Sequence, residues 1–120
     1  MQTKIDSKFS SSEDRIQASC YTWFHNTFPD YRGLLCYNLN NSANAIQGNK
    51  NKAMGVQAGR ADFTFYFKGR AFFIEMKTPK GKQQEIQKKW MLNMLHNGFE
   101  YHIIRTKEDF KTLINNITNA

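Results

Sequence analysis

Asp62, Glu75 and Lys77 are the residues of this 120-residue chain whose types and spacing suit chemistry. Phe63, Phe65 and Phe67 alternate with Asp62, Thr64 and Tyr66, a turn follows around Lys68 and Gly69, and a second extended run continues to Lys77. That is the pattern of a β-hairpin. If Lys68 and Gly69 form the loop, Phe67 faces Arg70 and Asp62 lies opposite Glu75; if Gly69 and Arg70 form it, Asp62 faces Lys77. Strand residues two apart share a face, so either register gathers Asp62, Glu75 and Lys77. A three-residue loop without a bulge would reverse the parity and scatter them. Carboxylates opposed across a sheet have β-carbons about 5 Å apart and repel unless a cation lies between them. Two hard oxygen donors, with other positions left to water and phosphate, suit Mg²⁺ or Mn²⁺ better than zinc. The competing reading is a structural ion pair, Glu75 or Asp62 with Lys77, on a half-buried sheet.

The elements that must position these three are legible in the hydrophobic pattern. Residues 1–10 read as a loose polar arm, and Ser10 precedes Glu13 by three residues, the spacing of a capping box. Ile16, Cys20, Trp23, Phe24 and Phe28 then recur at helical intervals up to Pro29, and Leu34–Leu39 reads as a short strand. Asn40–Gly59, with five Asn, three Gly and two Lys, lacks apolar periodicity and reads as a long loop. Beyond the hairpin, Pro79 and Gly81 break the chain. A helix over about 82–97 follows, presenting Ile86, Trp90, Met91, Met94 and Leu95, with Gly98 just past its end. Phe99–Arg105 makes a last strand, and Thr106 with Asp109 opens a final helix. The expected order is helix, three strands, helix, strand, helix, all in one domain over 11–120.

Composition narrows the classes. At 40% hydrophobic and 14% aromatic residues, collagen-like, disordered and long coiled-coil chains are excluded. No run approaches the roughly 20 apolar residues of a membrane span, and residues 1–10 lack a signal peptide's apolar stretch, so a cytoplasmic protein is expected. Cys20 and Cys36 sit in apolar patterns and read as buried free thiols. Lys and Arg total 17 against 10 acidic residues, a net charge of +7 that favours a polyanionic partner. The stretch from Lys68 to Lys89 alone carries +5 of that total.

"SEDRIQ" at 12–17, "GVQAGRADFTFYFKGRAFFIEMKTPKGK" at 55–82, "QKKW" at 87–90 and "NGFEYHIIR" at 97–105 together resemble the VRR-NUC domain of the PD-(D/E)xK nuclease superfamily. The similarity covers roughly residues 11–113 and is strongest to short, stand-alone members from phages and prophages. It implies a restriction-endonuclease-like α/β core of order αβββαβ, here with a C-terminal helix. It also implies metal ligation by Asp62, Glu75 and the backbone carbonyl of Met76, with Lys77 handling the attacking water. Glu13 resembles the family's additional acidic residue, completing the site or touching a second metal. Gln87 resembles the Gln that orients the Lys or the water. The family commonly has Pro just before the metal-binding Asp, whereas Arg60 and Ala61 stand here, so the backbone leading into that strand is less constrained.

The activity so implied is Mg²⁺- or Mn²⁺-dependent hydrolysis of DNA phosphodiesters, selective for branched, flap or four-way junction structures. Neighbouring carboxylates favour a charged Lys77, so an electrostatic and orienting role is expected of it rather than that of a general base. Lys50, Lys52 and Arg60 in the Asn-rich segment and Lys80 and Lys82 beside Gly81 are the expected phosphate contacts, with Asn40, Asn41 and Asn44 as further donors. One site cuts one strand, so junction resolution by so small a chain calls for a homodimer. Glu13 also suits a helix cap, Gln87 an exposed helical position beside solvated Gln83 and Gln84, and Trp90 the core. A non-catalytic nucleic-acid-binding module on the same scaffold is the alternative function.

Overall fold

The structure, a computed structural model, describes residues 12–39 and 45–120. The expected arm over 1–10, Ser10 of the capping box, and Asn40, Asn41 and Asn44 lie outside these. The elements run α1 (Ser12–Thr27), a short 3₁₀ turn (Pro29–Tyr31), β1 (Leu35–Tyr37), α2 (Ala45–Ala53), β2 (Phe63–Phe67), β3 (Arg70–Met76), α3 (Glu85–His96), β4 (Glu100–Ile104) and α4 (Lys107–Asn119). The four strands lie in sequence order, β1 to β3 antiparallel and β4 parallel to β3 across the α3 crossover. Among the described residues no helix is long and apolar enough to cross a membrane.

Period-two alternation divides the sheet into two faces. Leu35, Phe63, Phe65, Phe67, Phe72, Ile74 and Met76 line one face and pack with Cys20 and Phe24 of α1 and Phe110 and Ile114 of α4. Aromatic rings fill this layer edge to face, Phe24 on Phe65 at 5.5 Å and Trp23 on Phe110 at 6.0 Å. Burial at the α1–α4 seam pushes the Cys20 thiol up to about 12, with Lys107 and Lys111 opposing, so it is inert. Cys36 is also a free thiol but only half-buried, its Sγ against the Gly33 carbonyl, because β1 is an edge strand.

The opposite face carries Thr64, Phe73, Glu75 and Tyr101 and is only partly covered by α3. Trp90 meets Phe73 edge to face at 5.0 Å, confirming it as a packing residue. Ile86 and Leu95, expected on the same buried stripe, are instead 47% and 45% exposed. A lone helix over a four-stranded sheet buries a narrower stripe than its apolar pattern offers.

The Asn40–Gly59 segment is not a structureless loop, since α2 occupies Ala45–Ala53. Ala, Gln and Lys favour the helix, and the Gln47 side chain donates to Asn51 Oδ1 one turn on. Asn51 is buried, and its carbonyl accepts from Val56 N–H at 2.9 Å, closing the helix end. Tertiary enclosure of one polar residue thus overrides a composition that reads as coil.

Candidate active site

The hairpin turn decides the register. Lys68 and Gly69 both have positive φ, 48° and 77°, the signature of a two-residue type I′ turn. Phe67 therefore pairs with Arg70 and Phe63 with Ile74, and one step further the same register sets Asp62 opposite Glu75. Of the two pairings open from sequence, the first is realised. Lys77, two residues past Glu75, shares its face.

The side chains converge accordingly. Glu75 is 1% exposed and Lys77 5%, with Lys77 Nζ 3.7 Å from Glu75 Oε2. Glu75 Oε1 accepts from Tyr101 OH at 2.7 Å and Gln83 Nε2 at 2.9 Å. Both donors thus hold one oxygen, while Oε2 is enclosed without a hydrogen-bond donor. Asp62 Oδ2 accepts from the Met76 N–H at 2.7 Å. A strand residue's N–H and C=O leave on the same edge, so the Met76 carbonyl also faces the Asp62 side. Lys77 N–H, by the same alternation, points the other way, to Ile104 O at 2.9 Å.

Asp62 lacks a preceding proline, but its backbone is held by other means. Asn38 N–H donates to the Asp62 carbonyl at 2.7 Å, and the buried Asn38 side chain donates to Ala61 O and Thr64 Oγ1 at 3.1 and 2.7 Å. Gly59 sits at φ +81° with its Cα against the first turn of α3, where a Cβ would stand 2.5 Å from the Ile86 carbonyl. After β3, Arg105 Nη1 donates to the carbonyls of Thr78 and Gly81 at 2.8 and 2.6 Å, clamping the turn that carries Lys80 and delivers Gln83 to Glu75.

Glu13 lies at the start of α1, within the electrostatic reach of this cluster. Partial burial raises its pKa above the usual glutamate value of 4.5; Lys77 opposes that shift, and Asp62, Asp14 and Glu75 add to it. Glu13 thus shares the electrostatic field of Asp62, Glu75 and Lys77, and among the described residues no three His, Cys, Asp or Glu side chains gather as a metal-binding group. An acid whose folded pKa is raised costs stability once ionised. The cost is absent below the unfolded value near 4.5 and fully present above the folded one. Glu13→Gln is therefore expected to raise Tm at pH 7 in EDTA, and the gain should vanish below about pH 4.5; an unchanged or lower Tm at pH 7 contradicts this placement.

Gln87 is not at the cluster's hydrogen bonds. Its Oε1 accepts from the Gln84 N–H at 2.8 Å, a helix-capping contact at the start of α3. Gln83, which sequence spacing marks only as a solvated neighbour, is the glutamine that reaches Glu75. Tyr101 was equally silent in the sequence, and only the parallel pairing of Phe73 with Tyr101 sets its ring on the Glu75 face. Burial, then the bond to Glu75, push its phenol well above the ordinary tyrosine range, so it stays a donor. Lys50, Lys52, Lys80 and Lys82 are exposed, whereas Arg60 is half-buried.

No family model matches this sequence, and no curated protein matches it significantly. Among solved structures, a VRR_NUC domain protein superposes with a TM-score of 0.71, covering 90% of this chain and 88% of that one at 18% sequence identity. Apart from the inserted α2, the helix–strand order expected from the sequence is built around a mixed sheet, and the chain has the fold of a VRR-NUC domain.

Proposed function

We propose that this protein is a metal-dependent DNA endonuclease, structure-selective and acting at the Asp62, Glu75 and Lys77 cluster. The observation that carries the reading is Glu75 Oε2, a carboxylate oxygen enclosed without a donor and set opposite a second carboxylate. Lys77 Nζ stands 3.7 Å from this oxygen, beyond hydrogen-bond reach, so its lone pairs are left for a directly bound cation to complete. The donor set fits a hard divalent ion such as Mg²⁺ or Mn²⁺: Asp62, Glu75 and the Met76 carbonyl would hold it. When bound, such an ion polarises the scissile phosphate and acidifies water. Lys77 places a buried positive charge where the transition state accumulates negative charge, and it orients the attacking water by donation. Tyr101 and Gln83 fix the Glu75 carboxylate so that Oε2, not Oε1, is presented. Lys50, Lys52, Lys80 and Lys82 supply phosphate contacts that bind without reading sequence. The likeness to a VRR_NUC domain protein supports the same reading.

Incubation of the purified chain with branched and linear DNA in Mg²⁺ or Mn²⁺ tests it; DNA left intact under every condition defeats it. A catalytically silent binding module draws on one observation, the Lys77–Glu75 ion pair, which already offsets the Glu75 charge. That reading requires salt-sensitive binding indifferent to metal and surviving Glu75→Ala.

The two glutamines separate by experiment. Gln83→Leu is expected to weaken Mn²⁺ affinity by about tenfold, as loss of a partner that orients a ligand typically does. Gln87→Leu is expected to lower Tm slightly through the helix cap and leave Mn²⁺ affinity unchanged. Calorimetric titration with Mn²⁺ checks both, and the opposite ranking would return Gln87 to the site.

A further inference from the structure

On the α1 side of the sheet, a cavity of about 660 Å³ opens between α1 and the edge strand β1. Its size is that of sites that bury small organic ligands. Tyr21 and Tyr37 form its aromatic walls, 39% and 58% exposed, with Phe63 between them as the cross-strand partner of Tyr37. The Tyr21 and Phe63 rings are near parallel, 18° apart with centroids at 6.4 Å. Asp14 and Gln17 on α1 supply an acceptor and an amide at the polar rim. The cavity adjoins the candidate active site along the chain: Tyr37 precedes Asn38, whose N–H bonds the Asp62 carbonyl. The charges of Asp62 and Asp14 also reach the Tyr37 phenol.

We propose that this cavity receives an unpaired nucleobase of the bound strand. The inference deepens the nuclease reading and rests on it. Charge argues for the base rather than the phosphate, because the described lining residues include Asp14 and no lysine or arginine. Flat, neutral bases stack on tyrosine rings whatever their identity, whereas bases stacked in a duplex cannot leave the helix axis without unpairing. Asp14 and Gln17 match the amino and carbonyl groups on a base edge.

The test uses the full chain in EDTA with a short oligodeoxynucleotide bearing one 2-aminopurine, presented single-stranded or as a blunt duplex. Binding is expected to quench the probe in the single strand only. Tyr37→Ala and Tyr21→Ala should each weaken single-strand affinity on the order of 10-fold while duplex affinity holds. Tyr37→Phe should bind as the parent does, since stacking needs the ring and not the hydroxyl. Equal losses on both substrates, or none, overturn the proposal. So does a dimer that dissociates in Tyr37→Ala with single-strand affinity intact, which would give the cavity to a second copy. Quenching that appears only after removal of residues 1–11 would give it to that segment instead. Mn²⁺-dependent cutting assayed alongside separates the two readings: cutting without a tyrosine effect overturns the base pocket alone, and tyrosine-dependent binding without cutting overturns the nuclease alone.

Discussion

Glu75→Gln and Lys77→Met are each expected to reduce Mn²⁺-dependent DNA cleavage by about 10²- to 10³-fold, the range seen when one preorganised electrostatic contact to a transition state is removed. Glu75→Gln keeps an acceptor for Tyr101 OH and Gln83 Nε2 and changes little but the charge. Lys77→Met preserves the length of a side chain that is 5% exposed while removing its ammonium. Both changes break a buried ion pair and leave one charge uncompensated, which typically costs about 3–5 kcal/mol. A loss of activity therefore means something only if the variants are folded under the assay conditions. The double variant, Glu75→Gln with Lys77→Met, supplies the control. Removing both charges no longer strands the Glu75 carboxylate beside Asp62, so the double variant should melt above the Lys77→Met single variant while remaining inactive. Mn²⁺ should raise the Tm of Lys77→Met more than that of the parent, because a bound cation replaces the missing positive charge beside Glu75. Unchanged cutting by either single variant, shown folded by circular dichroism, would remove the catalytic assignment.

Gly59→Ala is expected to destabilise the protein by about 2–4 kcal/mol, through backbone strain together with overpacking. Gly59 combines a φ of +81°, which side-chain-bearing residues rarely adopt, with a Cα pressed against α3, where the added Cβ would meet the Ile86 carbonyl at 2.5 Å. The atom in the way is backbone and cannot rotate aside. Relief requires moving either α3 or the segment from Arg60 to Asp62, and both moves disturb the site. The first shifts Gln83 from Glu75; the second shifts Asp62 from the Met76 N–H. Gly55→Ala is the matched control, for its φ is +99° with nothing within 4 Å of the added Cβ. It should cost about 1 kcal/mol, from the dihedral alone. Urea denaturation of the two variants measures the difference, and equal midpoints would show that the contact with α3 yields without cost.

The element order and the gathering of Asp62, Glu75 and Lys77 were legible in the chain because both depend on local rules. Phe63, Phe65 and Phe67 declare a strand by alternation, and either two-residue turn around Gly69 gives the same parity across the hairpin; the positive φ of Lys68 and Gly69 then fixes which turn is made. The Thr106 cap was equally local, its hydroxyl accepting from Asp109 N–H as the spacing foretold. Reading α2 as a loop shows where local rules end. Asn- and Gly-rich sequence has weak intrinsic preference, and burial of Asn51, a property of the whole molecule, settled its state. Gln83 and Gln87 mark the same boundary in the candidate site. Motif resemblance pointed to Gln87, whereas the turn clamped by Arg105, the residue just past β4, sends Gln83 to the carboxylate.

The chain by itself determined that two acids and a lysine share one face of a hairpin provided its turn has two residues, since side-chain direction in a strand alternates with a period fixed by the backbone. Tertiary structure alone decided how that cluster is finished. Tyr101 reaches Glu75 through a parallel pairing that spans a crossover helix, and Asp62 is aimed by Asn38, just past β1, and by the packing of Gly59 against α3. Contacts between residues distant in sequence carry no periodic signature, because they arise only when separate elements pack, and packing is chosen by the burial of the whole core.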